Sequence, residues 1–431
     1  MNAVFIGIVV VAFAAAAWRQ LAFMPAAPDA LAPMQTLANQ MLDAASGAVT
    51  LSIGLVGVMT LFLGLTKVAE AGGLLVVIAK TIRPLMVRLF PDVPPDHPAM
   101  GAMVLNLSAN VLGLGNAATP FGIRAMQELD RLNPYKGTAT DAMVMFMALH
   151  TTSLSLLPTG VVALRAAAGS KDPSAIVPTT LVAMLIATAT AVVAALVLRR
   201  FYPIIAVKTP LPDAVDTRSA ANDADLTPGS GAYPGWVSAT ALVAVLALVP
   251  LTILYGRAFS PWIIPGLMVA FILFGAARGV KVYETFIEGA KDGFELAVRI
   301  IPYLVAILTA VAMFRASGAL DALVRALGPF TSALELPAEV LPTALLRPLS
   351  GSGAFAVLAA LQQDPNVGPD SYAGWLGATL QGAMDTIFYI FAIYFGAVGV
   401  RRLRHALPAA LIGAAAGVAA AIVTCTLLFP A

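Results

Sequence analysis

The stretch from Asn106 to Gly122 places polar side chains and helix-breaking residues inside a sequence that is otherwise apolar enough to enter a bilayer. Lipid offers no hydrogen-bond partner to a carboxamide or to backbone groups freed by Gly or Pro, so such a stretch is tolerated only inside protein or beside a watery cavity. Gly113 and Gly115 would let the backbone open and approach a ligand closely. We therefore predict a substrate site here, with interhelical hydrogen bonding as the alternative. Its candidate contacts to a solute are Asn106, Ser108, Asn110, Asn116 and Thr119.

A second interrupted stretch, Arg-Pro-Leu-Ser-Gly-Ser-Gly, begins at Arg347. Ser350 and Ser352 offer hydroxyls to a solute, and Gly351 and Gly353 are candidate hinges. Arg347 could attract an anion or hold the acidic residue of another broken segment, and the alternative is a side chain that reaches from a helix end to the interface. Two interrupted segments in corresponding positions of two halves are typical of the central site of a transporter.

A third polar group surrounds Asp385, in a strongly apolar stretch. A carboxylate at the bilayer centre costs about 2.5–3.5 kcal/mol on insertion scales, so it needs a partner, an ion or a cavity. Gln381, Asp385 and Tyr389 are spaced i, i+4 and i+8, which predicts one helix face, and Thr386 adds a hydroxyl beside them. We predict that this group binds substrate and that Asp385 and Arg347 gate the path or couple it to Na⁺ or H⁺. The expected hinges are Gly113, Gly115, Gly351 and Gly353. A buried pair of Asp385 with Arg347 that fixes the two halves is the alternative, and both could hold.

Other residues give weaker indications. The run His150-Thr-Thr-Ser-Leu-Ser155 adds hydroxyls to another apolar segment, where back-bonding to helix carbonyls is the simpler interpretation. Three scattered His and the lone Cys425 make a metal site or a disulfide framework improbable. The chain has no phosphate-binding loop, no Ser–His–Asp arrangement and no His-Glu-x-x-His motif. We therefore expect neither an enzyme nor a resident cofactor.

The composition predicts a polytopic membrane protein. Only 11% of the 431 residues are charged, 59% are hydrophobic and the mean hydropathy is +0.88, whereas soluble domains carry about 25% charged residues. The net charge of +2 and the absence of a basic tract argue against nucleic acid as a partner. Apolar runs long enough to span, about 20 residues each, lie near 1–18, 48–66, 141–164, 174–198, 235–255, 260–277, 294–314 and 406–428.

The chain divides into two related halves. Residues 203–233 are rich in Pro, Gly and Asp and predict a flexible linker between 1–202 and 234–431. Gly47 matches Gly293, and the small-residue cluster 71–73 matches 317–319 at the same offset of 246. Basic residues around the linker place it in the cytoplasm. Whether the copies are parallel or inverted depends on which broken segments cross the membrane, and the sequence leaves that open.

The motifs resemble those of a known family. Residues 1–200 resemble spore maturation protein A through the runs 96–104 and 106–122, and residues 235–431 resemble spore maturation protein B through 347–353, 381–389 and 394–399. The chain is thus similar to a fusion of the two, within the nucleoside-recognition or Gate group of membrane proteins. The resemblance implies one Gate domain per half, a solute path between them and a multi-pass protein of the bacterial inner membrane. Iron-transporting Gate domains carry a Cys in the path, and Cys425 lies outside every motif, so the resemblance disfavours iron.

We therefore predict an all-α polytopic membrane protein of two Gate-type halves with broken or re-entrant helices. Its expected function is movement of a small polar or anionic solute, nucleoside-like or other, through a site between the halves. Membrane lipid is an expected partner, and a homo-oligomer is compatible with the sequence. The alternatives are a non-transport scaffold or assembly factor, and a protein that handles a lipid-linked envelope precursor.

Overall fold

The computed structural model describes residues 2–24, 31–113, 118–204, 233–320, 322, 325–326, 331 and 335–429. These residues form α-helices and short 3₁₀ turns; within the described ranges there is no β-strand, only a single bridge between Thr138 and Arg402. The α-helices are α1 (Asn2–Leu21), α2 (Pro33–Ala71), α3 (Leu74–Leu89), α4 (Pro98–Val111), α5 (Thr119–Arg131), α6 (Asp141–His150), α7 (Thr159–Ala167), α8 (Ile176–Leu198), α9 (Gly235–Ala277), α10 (Val282–Ala316), α11 (Leu341–Leu346), α12 (Gly351–Gln363), α13 (Tyr372–Ala383), α14 (Ile387–Ala397) and α15 (Ala406–Leu428).

The prediction of an all-α polytopic membrane protein is confirmed. Among the described residues, six helical segments are long and apolar enough to cross a bilayer. They are Pro33–Ala71, Pro173–Phe201, Gly235–Ala277, Val282–Ala316, Tyr372–Ala397 and Ala406–Leu428. The predicted linker 203–233 lies almost wholly outside the described residues, and the proposed boundaries between the halves stay a prediction.

Each half contains one hairpin of short helices and one broken span. Helices α4 and α5 pack against each other as a re-entrant hairpin, and α11 and α12 do the same in the second half. Helices α6 and α7 follow each other across a break at 151–158, and α13 and α14 across a break at 384–386. The predicted continuous span 141–164 was therefore wrong. Thr151 and Thr152 donate their hydroxyls to carbonyls of α6, and Pro158 has no N–H with which to continue a helix.

The long helices α2 and α10 pack along each other in opposite directions. A Cβ on Gly289 would meet Gly64 Cα, and one on Gly293 would meet Thr60 Cα. The residue number increases along α10 while that of its contact in α2 decreases, so the two helices are antiparallel. Because Gly47 and Gly293 mark equivalent points of the repeat, antiparallel α2 and α10 mean that the two halves are inverted. Inverted repeats related by an axis in the membrane plane are a common transporter architecture.

The last helices of the halves repeat this arrangement. Gly413 of α15 packs on Ala191 of α8, and Gly417 packs on Ala187, again with opposite chain directions. Small residues at these contacts let the backbones approach closely, which is how helices gain packing energy where lipid supplies no hydrophobic driving force. The question that the sequence left open, parallel or inverted copies, is thus answered as inverted.

Helix α9 is sharply bent. Near its start Ser238 donates to the Thr81 carbonyl, and near its end Gly275 packs on Val68. A straight helix would hold Ser238 and Gly275 roughly 55 Å apart, but the residues that they contact, Thr81 and Val68, are at most roughly 26 Å apart along the chain. Ser260, in the middle of α9, donates to Asp172 before α8. Three prolines favour the bend: Pro250, Pro261 and Pro265.

The bend gives α9 two limbs that correspond to the spans predicted at 235–255 and 260–277. Both ends of α9 then lie at the same face of the molecule as the end of α8. We call this the linker face, defined by Arg404 and the two residues that it contacts, Asp141 and Tyr202. The other end, with Arg165, Asp172 and Asp370, is the opposite face.

Candidate functional site

A cavity of about 320 Å³ lies where the hairpins and broken spans of both halves meet. Its volume is at the lower end of the range for small-molecule pockets. Helices α4, α6 and α13 end at the cavity, whereas α5 and α7 begin there. Its polar lining consists of Asn110, Thr119, His150, Ser153, Ser155, Thr159, Arg347, Gln381, Asp385, Tyr389 and Tyr394.

The cavity brings together residues from all three predicted polar stretches. Asn110, Gly113 and Thr119 come from the break between α4 and α5. Arg347 comes from the break between α11 and α12, and Gln381, Asp385 and Tyr389 surround the break between α13 and α14. Three segments far apart in the chain thus line one space, which is the arrangement expected of a central solute site.

Two predicted residues of the first stretch do not line the cavity. Ser108 is buried, and its hydroxyl donates to the Val104 carbonyl within α4, so it has a purely local partner. Asn106 lies one layer behind: its amide donates to the Ala118 carbonyl at 2.8 Å and spans the hairpin break. The predictions for Asn116 and Gly115 lie outside the described residues.

The serines of the second stretch also have other positions. Ser350 is the N-cap of α12, where its hydroxyl accepts a hydrogen bond from the Gly353 N–H at 3.1 Å. Ser352 is exposed away from the cavity. Gly351 permits a close approach, because a Cβ there would lie 2.8 Å from Thr386 Oγ1. The glycines of this stretch therefore cap and pack α12 rather than contact the cavity directly.

Arg347 connects the second hairpin to the second broken span. Its guanidinium donates to the Met384 carbonyl, lies 3.5 Å from Thr386 Oγ1 and is 3.9 Å from Asp385 Oδ1. Thr386 therefore supports Arg347 and does not line the cavity. Because Arg347 and Asp385 both belong to the second half, their pair does not fix the two halves together, and this part of the prediction was wrong.

Asp385 lies in extended backbone and not on a helix. Helix α13 ends at Ala383 and α14 begins at Ile387, so the predicted helix face through Gln381, Asp385 and Tyr389 does not exist as such, although all three reach the cavity. One Asp385 oxygen accepts from the Thr386 N–H at 2.7 Å, at the positive N-terminal end of α14. The side chain stays 36% exposed and available to a cation or solute.

The two breaks contact each other directly. The Asp385 N–H donates to the Thr151 carbonyl at 3.1 Å, so the interrupted backbone of each half supplies one partner. This satisfies two of the backbone groups that lipid cannot. A movement of one broken span therefore acts on the other at the level of the carboxylate.

Sequence reasoning gave too little weight to His150 and Tyr394. His150 Nε2 lies 2.6 Å from the Tyr394 hydroxyl, and both side chains line the cavity from opposite halves. Asn106 and Thr119 lie beside the same hydroxyl. Gly122 is needed opposite, because a Cβ there would collide with the Tyr394 ring. The signal available in the sequence was a histidine within an apolar segment, at the start of a run that is rich in hydroxyls and ends in a proline.

Three cavity side chains retain buried polar atoms without a hydrogen-bond partner among the described residues. These are Arg347 Nε, Gln381 Oε1 and His150 Nδ1. Each side chain is more than nine-tenths buried, and a buried polar atom without a partner costs about 1–3 kcal/mol. The three side chains line a space of small-molecule size, and the three atoms themselves are almost inaccessible from it. The helix N-termini at Thr119 and Thr159 add N–H groups that favour anions.

These features define a polytopic membrane protein with inverted halves and a polar central cavity between broken helices. A profile of the Gate family, described as nucleoside recognition, matches residues 52–168 and 297–401, which is just over half of the chain. The chain therefore belongs to the nucleoside-recognition (Gate) family. The two matched ranges contain the hairpin and the whole broken span in each half.

Two relatives match different parts of the chain, as the predicted fusion requires. Spore maturation protein B of Bacillus subtilis (strain 168) is 45% identical over 166 residues, which are 38% of this chain and 92% of that protein. Spore maturation protein A of the same organism is 45% identical over 153 residues, which are 36% of this chain and 78% of that protein. The predicted resemblance is confirmed.

Among solved structures, the YdaH transporter of Alcanivorax borkumensis aligns over 97% of both chains with a TM-score of 0.38 and 14% identity. This likeness is too weak to bear on fold or function.

Proposed function

We propose that this protein moves a small polar solute, neutral or anionic, across the bacterial inner membrane through the central cavity. The observation that carries the proposal is one cavity lined by polar side chains of both halves, among them His150 from the first and Arg347, Gln381 and Asp385 from the second. Three of these side chains also keep a buried polar atom without a hydrogen-bond partner among the described residues. A purely structural polar core would satisfy its buried groups internally. The family description, nucleoside recognition, makes nucleosides the first solutes to test.

The roles follow from the contacts. Asn110, Gln381 and the hydroxyls around the cavity would bind the uncharged part of the solute. Arg347 would bind an anionic group when Asp385 is neutralised by H⁺ or Na⁺, since the two charges otherwise lie 3.9 Å apart and compensate each other. Binding of the coupling ion and of the solute would thus favour each other. On this proposal the protein is not an enzyme and needs no resident cofactor.

The test compares two Asp→Asn variants of the purified full-length protein. Asp385→Asn changes the cavity, whereas Asp364→Asn removes a carboxylate that is also paired with an Arg, at 2.7 Å to Arg315, but lies outside the cavity. Thermal unfolding is followed with nucleosides and small carboxylates as probes, because a ligand at 100 times its Kd stabilises the folded state by about 2.7 kcal/mol. We expect a carboxylate probe to raise the Tm of the wild type and of Asp364→Asn only when H⁺ or Na⁺ neutralises Asp385, and to raise the Tm of Asp385→Asn without that dependence, because this variant is already neutral at the position.

Uptake of the same probe into proteoliposomes then separates transport from binding. We expect Asp364→Asn to retain flux and Asp385→Asn to lose it while its circular dichroism is unchanged. A folded Asp385→Asn variant with full flux would contradict the assigned role. Loss of folding in Asp385→Asn, with no probe that binds the wild type, would favour a scaffold with a structural polar core.

One observation favours a second candidate, the handling of a lipid-linked precursor. An apolar cavity of about 550 Å³ lies between α3, α8 and the bend of α9, and it shares Leu157 with the polar cavity. An amphiphile could place its head group in one space and its chain in the other. Isoprenoid phosphate is therefore compared with inorganic phosphate in the same unfolding assay, and selective stabilisation by the isoprenoid compound would favour this candidate.

A further inference from the structure

A second, charged cavity of about 550 Å³ lies between α2, α10 and the central cavity. Its charged lining comes from two helices that are long and apolar enough to span the membrane: Lys67 and Glu70 on α2, and Asp292, Glu295 and Arg299 on α10. Charged side chains at membrane depth are retained where they face a bundle interior or a water-filled space. The cavity between these helices provides such a space.

The two cavities share part of their walls. Gly113, Thr159 and Gly160 line both of them. Gly113 ends the first arm of the hairpin with φ of +82°, a conformation that glycine adopts without strain. A Cβ on Gly160 would meet only Phe355, at 3.9 Å, so this wall is thin and made of small groups.

The charged cavity lies towards the linker face. It is lined by the last turns of α2, from Met59 to Glu70, and by the first half of α10. The end of α2 and the start of α10 both lie near the ends of α9, which mark that face. Basic residues cluster there: Lys80, Arg199, Arg200, Arg278, Lys281 and Arg404. By the positive-inside tendency this face is cytoplasmic.

We propose that the charged cavity is the cytoplasmic entrance to the central cavity, and that Gly113, Thr159 and Gly160 form the gate between them. This inference rests on the proposed function and makes it more specific: the solute enters from water and not laterally from lipid. The polar side chains that line the central cavity beyond the gate, the partly exposed Asp385 among them, give the path a destination. The mixed charges of the entrance would admit hydrated polar solutes and repel acyl or prenyl chains.

Cysteine accessibility tests the path without any solute. The chain's single cysteine, Cys425, is buried, so a Cys425→Ala background carries one new cysteine at a time. Glu295→Cys reports on the entrance and Ser155→Cys on the central cavity. The matched control is Val298→Cys, on the same helix, 46% exposed and outside both cavities. A charged, membrane-impermeant thiosulfonate is applied to inside-out and right-side-out vesicles.

We expect Glu295→Cys and Ser155→Cys to react at least tenfold faster in inside-out vesicles, and Val298→Cys to react slowly in both. Adding Gly113→Val should slow Ser155→Cys at least tenfold and leave Glu295→Cys unchanged. Gly160→Leu is the second gate variant if Gly113→Val does not fold. Reaction of Glu295→Cys only from outside, or as slowly as Val298→Cys, would overturn the proposal. Because no solute is involved, correct labelling without transport would count against the proposed function alone.

Discussion

Arg165 Nη2 lies 3.0 Å from Asp370 Oδ1, and this ion pair joins the end of the first broken span to the start of the second at the opposite face. Its counterpart at the linker face is the pair of Arg404 with Asp141, at 2.6 Å, which joins the end of the second broken span to the start of the first. The inverted repeat thus produces two related ion pairs between the halves, one near each face. These two pairs connect the halves, which is the role that the sequence had suggested for a pair of Arg347 with Asp385.

Removal of Arg165 should destabilise the protein strongly. Its side chain is fully buried and also donates to the Pro369, Asp172 and Pro173 carbonyls. Breaking a buried pair and leaving these acceptors without donors costs about 3–5 kcal/mol. We therefore expect a large fall in Tm for Arg165→Met in detergent, measured by tryptophan fluorescence.

The control for Arg165 is an exposed ion pair. Arg83 lies 3.3 Å from Asp96, whose side chain is 98% exposed, so Asp96→Asn should cost about 0–1 kcal/mol. A double-mutant cycle of Arg165→Met with Asp370→Asn should show strong coupling. Equal Tm changes for Arg165→Met and Asp96→Asn would contradict a large contribution of the Arg165–Asp370 pair to stability.

The two glycines that revealed the repeat should respond differently to alanine. A Cβ on Gly293 would lie 2.7 Å from Thr60 Cα and 2.8 Å from the Met59 carbonyl, both of them backbone atoms that cannot rotate away. Forcing α2 and α10 apart should cost about 1–3 kcal/mol. Gly47 has no atom within 4 Å of a built Cβ, so Gly47→Ala should be neutral or gain up to about 1 kcal/mol from helix propensity. Thermal unfolding of both variants measures the difference, and equal effects would show that α2 and α10 do not pack this closely.

The hydroxyl of Tyr394 should matter more than that of Tyr389. Tyr394→Phe leaves buried His150 without its partner at 2.6 Å, which should cost about 1–3 kcal/mol. Tyr389 is 59% exposed, and Tyr389→Phe should change stability by less than about 0.5 kcal/mol. Thermal unfolding gives both values. A neutral Tyr394→Phe would mean that His150 finds another partner in the cavity.

The cavity was largely predictable because polar side chains at membrane depth are retained only in the protein interior or beside a water-filled space. Asn110, Arg347 and Asp385 could be assigned to a common polar interior from their apolar surroundings alone. Residues only one or two positions away could not be sorted in this way. Ser108 turns its hydroxyl back to α4 whereas Asn110 faces the cavity, and that difference depends on which face of α4 the second half covers.

A broken helix was expected in this stretch, but the position of its break, at 384–386, was not predictable from local sequence. No Pro or Gly lies within it, and the i, i+4 spacing of Gln381 and Asp385 suggested an unbroken helix. Hydrogen bonds to residues distant in the chain stabilise the break. Arg347 donates to the Met384 carbonyl, and the Asp385 N–H donates to the Thr151 carbonyl. The same limit applied to the orientation of the halves, which became visible only through contacts such as Gly293 with Thr60.

Because α2 and α10 are antiparallel, each copy faces one side of the bilayer in the way that the other copy faces the opposite side. The copies are nevertheless unequal in shape: the first arm of one hairpin, α4, has 14 residues, and its equivalent α11 has 6. If each copy took the shape of the other, a cavity would open between the other ends of α2 and α10, where the positions equivalent to Glu295 and Arg299 are Val49 and Ile53. On the proposed transport function, the asymmetry between the copies would serve as a template for a state that faces the outside solution.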